Sequence, residues 1–413
     1  MAEVTEQQVV EQVLDWFREA WDPDISLLEW RDRLVASGWA VPSWSTDWYG
    51  RGLPAWTDRV AHTAIRAAGG VAVPLGGGMM LVAPTMYEHA TEELKARLMR
   101  PTLTGELTWC QLFSEPGAGS DLAGLKATAV RDGDVWIVNG QKVWNTSADH
   151  ADMGILVART DWDAPKHTGI TYFALDMRQP GVEVRPIRQM NEYQSFNEVF
   201  LTDARIPVTD MIGEAGGGWR VARATLAHER TFSVMRSLSL APGAAGRVVE
   251  QARAEADEYL KTYEWYPQRA GRADLVAERA TTTGSSDDPL VRQQMMDLHS
   301  FQRASQWTAD RAKAARALGR PPGSGGSIGK LALSEVARRS HRVHTTISGA
   351  QAMLRNGDDP NDEVIAEVLL STPAQSIAGG TDEIQKNILG ESMLGLPKEP
   401  AVDRGIPFKD VGR

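Results

Sequence analysis

The spacing of hydrophobic and polar positions changes twice along the chain. Near the start Val9, Val10, Val13, Leu14 and Phe17 recur at helical intervals with charged residues between them, and residues 1–107 read as a helical domain. Within it a loop is expected from Trp44 to Leu53, where Pro42, Gly50 and Gly52 interrupt a tryptophan-rich run. The triple glycine Gly76-Gly77-Gly78 lies inside the stretch Ala64 to Met86. It disfavours helix by roughly 1 kcal/mol per residue relative to alanine, so the position needs another reason, such as close helix packing. Glu92 to Met99 reads as a short polar helix that Pro101 should end.

From Thr108 the period shortens to that of strands. Lys126–Val130 and Val135–Val138 flank the turn Asp132-Gly133, and Asn139-Gly140 marks a further tight turn. Gly154–Ala158, Gly169–Asp176, Val182–Arg185 and Asn197–Leu201 supply more short strands, and Asp203–Ile212 reads as an irregular return. Helical spacing resumes at Trp219, with helices expected over Ala244–Leu260, Leu290–Leu318, Ile328–Ala352 and Asn361–Leu369, and a loop at Gly284–Pro289. Helices, strands and then helices define an α+β architecture. Its expected parts are an N-terminal helical domain (1–107), a middle β-domain (108–215), a C-terminal helical domain (216–395) and an extended tail (396–413) that packs on a neighbouring subunit.

Composition narrows the function classes. The chain has 413 residues, 42% of them hydrophobic and 24% charged, which suits two or three packed globular units. A net charge of -10 and a pI near 5.4 argue against a nucleic-acid surface. The single cysteine, Cys110, excludes an intrachain disulfide framework and points to a reducing compartment. No basic n-region with an apolar run follows Met1, and no apolar stretch of about 18 residues is present, so neither a signal peptide nor a spanning helix is expected. A cytoplasmic location follows as an expectation.

The stretch with most chemistry runs from Gln111 to Thr146. It opens as Gln111-Leu112-Phe113-Ser114-Glu115-Pro116-Gly117-Ala118-Gly119-Ser120-Asp121 and closes as Asn139-Gly140-Gln141-Lys142-Val143-Trp144-Asn145-Thr146. Glycines that admit close approach, hydroxyls at Ser114 and Ser120, and an aromatic plate at Trp144 suit a flat, polar-edged cofactor. The two halves resemble the flavin-binding signature of the acyl-CoA dehydrogenase family, and the likeness extends over most of the chain. It implies a middle domain of β-barrel type, a C-terminal four-helix bundle and bound FAD. It also implies that Gln111, Phe113, Ser114 and Gly119 line the flavin, with Ser120 near the pyrophosphate or the substrate thioester. Trp144 would pack on the ring and the Thr146 hydroxyl would point at its N5. The triple glycine could then leave room for an acyl chain.

Ser348-Gly349-Ala350 and Gly379-Gly380-Thr381-Asp382-Glu383-Ile384-Gln385 resemble the segments that complete the family's site, which implies cofactor roles for Thr381 and Glu383. The outer, adenine-end contacts fall to Arg279, Arg292 or Gln293; the family's Phe is missing there and the spacing is longer. Many members carry their catalytic glutamate directly before the Gly-Thr of this segment, where this chain has Gly379. Isovaleryl- and long-chain-type members carry it on the helix opening the C-terminal domain. The pattern Leu226-Ala227-His228-Glu229-Arg230 then implies Glu229 as base and Arg230 as a substrate contact, with no role for His228. Burial against flavin and thioester would raise a glutamate pKa, and Arg230 would oppose that.

The implied reaction is FAD-dependent α,β-dehydrogenation of an acyl-CoA to its trans-2-enoyl-CoA by a homodimer or homotetramer, with electrons passed to an electron-transfer flavoprotein. Two alternatives are a partner-dependent or non-catalytic subunit of a hetero-oligomer, and a flavin monooxygenase or oxidase on the same scaffold.

Overall fold

The computed structural model describes residues 4–232, 240–317, 325–353, 361–400, 403 and 405–411. The expected helix end at Leu318 and the tail's Gly412 lie outside them. The chain forms two compact units, one of Met1–Ile187, Gln194–Thr262 and Asp403–Arg413, the other of Arg188–Tyr193 and Tyr263–Val402.

The first unit begins with α1 (Glu6–Ala20), α2 (Leu27–Ala36) and α3 (Trp56–Ala67). Thr5 and Gln8 form a capping box at the start of α1, which buries Val9, Val13 and Phe17 from the expected stripe. A π-helical turn (Gly78–Val82) then leads into α4 (Ala83–His89), and α5 (Glu92–Thr104) follows. A Cβ at Gly78 would lie 3.1 Å from the Trp109 ring, so close packing accounts for this glycine. Contrary to expectation, Pro101 sits inside α5. The Thr102 hydroxyl donates to the Leu98 carbonyl (2.6 Å) and that of Thr104 to Arg100 (3.1 Å), bonding carbonyls around the ring; the helix stops only at Gly105, where φ is 78°.

Seven strands follow: β1 (Trp109–Leu112), β2 (Thr128–Asp132), β3 (Val135–Thr146), β4 (Met153–Arg159), β5 (Ile170–Asp176), β6 (Val182–Ile187) and β7 (Phe196–Pro207). They form one sheet in the order β1-β4-β2-β3-β7-β6, with β5 added on β4. β1 runs parallel to β4, and β3 pairs antiparallel with both β2 and β7. Two expectations change here. Asn139-Gly140 is a bulge within β3, not a turn: Asn139 exchanges hydrogen bonds with Asp203, and Gly140 lets Ala127 approach to where a Cβ would be only 2.5 Å away. The irregular return expected over Asp203–Ile212 is strand in its first part, because β7 stays paired with β3 as far as Pro207, and a short turn follows only at Val208–Asp210. Trp136, Val138, Leu156, Phe173, Leu175, Leu201 and Ile206 fill one core of the sheet. Cys110 is buried there, and burial pushes its thiol up to about 12, so it is a packing residue.

Helices α6 (Gly218–Phe232) and α7 (Arg247–Lys261) belong to this first unit. α7 is tied to α2 by paired Arg31–Glu255 hydrogen bonds of 2.7 Å each. The end of the tail packs on its own chain, where Phe408 and Lys409 donate backbone hydrogen bonds to Ala164 and Trp162.

The second unit holds α8 (Tyr266–Arg269), α9 (Val276–Thr282), α10 (Pro289–Ala317), α11 (Gly325–Ser348), α12 (Asp362–Ser371), α13 (Pro373–Ile377) and α14 (Asp382–Ser392). Val276, Leu298 and Val343 form a small apolar core. Buried Asp382 is held by Lys330 (2.9 Å), Ser334 (2.8 Å) and Arg338 (2.7 Å). Burial would raise this carboxyl, but those donors outweigh it and hold it at about 2.

Candidate active site

The turn after β1 is closed by reciprocal backbone hydrogen bonds between Glu115 and Ala118, 3.0 and 3.1 Å long. Glu115 is the anchor of the loop. Its carboxylate accepts from the backbone N–H groups of Lys126 (2.7 Å) and Ala127 (2.9 Å) and from the Lys142 ammonium (2.9 Å). Lys142 is fully buried and also donates to the Phe113 carbonyl (3.0 Å). Burial pushes the Lys142 pKa below its ordinary value while Glu115 opposes the shift. This pair joins the loop to β3 as a charge-assisted staple. Both residues lie inside the two motifs, but their pairing joins positions 27 apart and leaves no mark in the local pattern.

At the end of β3 the register with β7 shifts between Lys142 and Asn145. Trp144 sits in that bulge in the left-handed region at φ 64°, with 58% of its surface exposed and one edge against Phe196. A large ring held outward on a strained backbone is a feature that folding alone does not reward. Beside it Asn145 is buried; its Nδ2 donates to the Gln111 carbonyl (2.7 Å), while its Oδ1 has no hydrogen-bond partner. The Ser114 carbonyl accepts from Val143 N–H (2.9 Å). Gln111, Ser114, Trp144 and Thr146 are thus brought together where β1 and β3 end. Gly119 and Ser120 are exposed on the same loop, and a Cβ at Gly119 would meet nothing within 4 Å, so no internal contact demands glycine there. The Phe113 side chain is buried edge-on against Tyr172, which leaves its backbone to face the loop.

Tyr172, on β5, carries the connection further. Its hydroxyl lies 3.0 Å from the Thr225 hydroxyl on α6, and Thr225 lies 3.0 Å from the Thr85 hydroxyl on α4. All three are fully buried, and burial pushes the Tyr172 pKa well above its ordinary value. Glu229 is one turn beyond Thr225 on the same face of α6 and is half-buried. Its neighbour His228 places Nε2 3.3 Å from Glu88 of α4. Arg230 lies on the same helix, its side chain outside the described residues.

The remaining predicted residues lie in the second unit. Thr381 caps α14 by accepting from Ile384 N–H (3.2 Å), and Glu383 is exposed in its first turn. Gly379 has φ 67°, a conformation that a side-chain-bearing residue adopts only at a cost. Arg279 is 1% exposed, with its guanidinium on His344 (3.0 Å) and Ser348 (2.7 Å).

Three family descriptions match the chain: the acyl-CoA dehydrogenase N-terminal domain over residues 1–106, the middle domain over 110–204 and the C-terminal domain over 270–394. Acyl-CoA dehydrogenase IpdE1 of Mycolicibacterium smegmatis is 32% identical over 90% of this chain and 88% of its own length. The chain belongs to the acyl-CoA dehydrogenase family. Acyl-CoA dehydrogenase FadE34 of Mycobacterium tuberculosis is 35% identical over 88% of this chain, which spans only 46% of that longer relative. Among solved structures, one titled "Tcur3481-Tcur3483 steroid ACAD" superposes with a TM-score of 0.64 at 23% identity, covering 97% of this chain and 100% of its own, a likeness of fold.

The protein is therefore an FAD-dependent oxidoreductase acting on CH–CH bonds, as expected, with the helical, sheet and helical parts of that fold. The residues present fit the cofactor. An outward tryptophan on a strained bulge, an orphaned buried Asn145 Oδ1 and a glycine loop open on its outer side make a site that suits a flat polar ligand. Among the described residues no helix is long and apolar enough to cross a membrane, and no cluster of His, Cys, Asp and Glu could hold a metal ion.

Proposed function

We propose that the protein desaturates an acyl-CoA thioester between Cα and Cβ to the trans-2-enoyl-CoA, with Glu229 as the base. The observation that carries this reading is the buried run Phe113–Tyr172–Thr225, which registers the Glu229 helix against the cofactor loop. Gly379 stands where many relatives have their base, and it offers no side chain. When bound, FAD supplies the acceptor for the β-hydride. Gln111, Ser114, Gly119, Ser120, Trp144 and Thr146 are the residues we assign to holding it. Glu229, half-buried on α6, takes the α-proton as the Cα–H bond breaks. Electrons then pass to an electron-transfer flavoprotein.

The acyl group we assign to the branched or ring-bearing class. A helix-borne base supports this, as does the fold neighbour titled a steroid ACAD. The decisive experiment is anaerobic mixing of Glu229→Gln with a panel of straight, branched and ring-bearing acyl-CoAs. The variant should keep its flavin spectrum and lose flavin bleaching by more than about a hundredfold. Bleaching at the parental rate would remove Glu229 from the mechanism, and straight chains bleaching fastest in the parent would overturn the substrate class.

A second reading is favoured by one observation, the relative FadE34 of which this chain spans only 46%. A longer relative with room for a second such unit supports action alongside a partner chain of the same family. Flavin stoichiometry of the chain expressed alone separates the two. One FAD per chain with turnover supports a homo-oligomer, and flavin gained only on co-expression supports the pair.

A further inference from the structure

The end of the chain grips the two side chains that hold the segment following the flavin loop. Arg159, the last residue of β4, is fully buried, and its guanidinium makes three hydrogen bonds to backbone carbonyls. These are Nη2 to Ala123 (2.7 Å), Nε to Leu125 (3.2 Å) and Nη1 to Lys166 (3.1 Å). The ring of Phe408 covers this guanidinium, 3.4 Å from its central carbon to the ring centroid, and the Trp162 ring centroid stands 5.8 Å away. Phe408 is itself 7% exposed and fixed by its backbone hydrogen bond to Ala164 (3.0 Å). A second link runs through Lys166, whose ammonium donates to Asp121 of the loop (2.5 Å) and to Asp403 of the tail (2.9 Å).

These contacts are in series with the staple described above. Ala123 and Leu125 directly precede Lys126 and Ala127, whose N–H groups hold the Glu115 carboxylate. The Ala127 carbonyl also accepts from Arg159 N–H (2.7 Å). A buried guanidinium binding three carbonyls needs an apolar, cation-accepting cover to exclude water, and an aromatic face provides one. Without Phe408, water would compete for the same donors and the segment 121–127 would lose its fixed position.

We propose that residues 403 and 405–411 are a positioning element of the flavin site, acting through Arg159 and Lys166 on residues 121–127. The matches to the family's three domains end at residue 394, so this element lies beyond them. The inference rests on the reading of the 114–121 loop as a flavin contact. It implies that flavin retention depends on the intact end of the chain, although no residue of that end need touch the cofactor.

The test compares the full-length parent with Phe408→Ala, Phe408→Tyr, Asp403→Asn and Gly119→Val. FAD is titrated into deflavinated protein, and hydrogen exchange is followed peptide by peptide without flavin. Phe408→Ala should speed exchange over 121–127 while leaving α1 to α3 unchanged, and should weaken FAD binding by about tenfold, the order found when an outer partner of a site is removed. Phe408→Tyr should restore both, and Asp403→Asn, which removes only the Lys166 link, should give a smaller change in the same direction. Unchanged exchange over 121–127 in Phe408→Ala overturns the proposal, as does unchanged FAD affinity in that variant. Unchanged FAD affinity in Gly119→Val overturns the reading of the loop instead.

Discussion

At the residue scale, the site is built from side chains placed where folding alone does not favour them. Trp144 is exposed and holds a left-handed backbone that costs a non-glycine residue roughly 1–2 kcal/mol. Trp144→Gly should therefore leave the flavin-free protein as stable or up to about 1 kcal/mol more stable in urea, while FAD affinity falls. A loss of stability matching the loss of affinity would show the ring to be structural. Glu115 and Lys142 have the opposite character, being buried and mutually dependent. Glu115→Gln leaves the Lys142 ammonium buried without its counter-charge and should cost about 3–5 kcal/mol, of which the double variant Glu115→Gln/Lys142→Met recovers a large part. A double-mutant cycle on urea midpoints measures this coupling directly.

At the scale of elements, the placement of α6 decides the proton half of the reaction. Thr225 bridges β5 and α4 through hydroxyl contacts of 3.0 Å each, one turn from Glu229. Thr225→Val keeps the shape of the side chain but leaves the Tyr172 and Thr85 hydroxyls short of a partner, at about 1–3 kcal/mol. With α6 loosened, kcat should fall while the flavin spectrum and KM stay near parental values. A variant with parental kcat would show that Glu229 is positioned by other contacts. β3 has a comparable role, since its bulge turns Trp144 outward while Lys142 and Asn145 point inward to the loop.

At the scale of the whole molecule, each unit carries a buried neutral imidazole. His62 in the first unit bonds the Ala40 carbonyl (2.8 Å), and His344 in the second lies between Arg279 (3.0 Å) and the Arg272 carbonyl (3.1 Å). Burial pushes both from 6.5 down to about 4. The unfolded chain thus takes up these protons near pH 6.5 while the native chain resists until about 4. Their contribution is intact above the unfolded value and is lost as pH falls through this window, by up to about 3 kcal/mol for each imidazole. Urea midpoints of the holoprotein should drop between about pH 7 and pH 5 with uptake of protons on unfolding; a flat midpoint would contradict the assignment.

The order of helical, strand and helical segments, the loop Gln111–Asp121 and the Trp144 motif were legible in the chain because each depends on local periodicity or on residues close in sequence. So was the family, since its signature lies within 36 consecutive positions from Gln111 to Thr146. What lay beyond reach depended on partners distant in sequence. Asn139-Gly140 is a bulge because Asp203, 64 residues away, pairs with it. Phe113 turns into the core to meet Tyr172, and the tail folds back onto Arg159, 249 positions before Phe408. Sequence alone determined which cofactor chemistry the chain is built for. Tertiary structure decided which groups hold that chemistry in place, because burial and charge pairing are properties of neighbours in space, and a linear pattern does not record them.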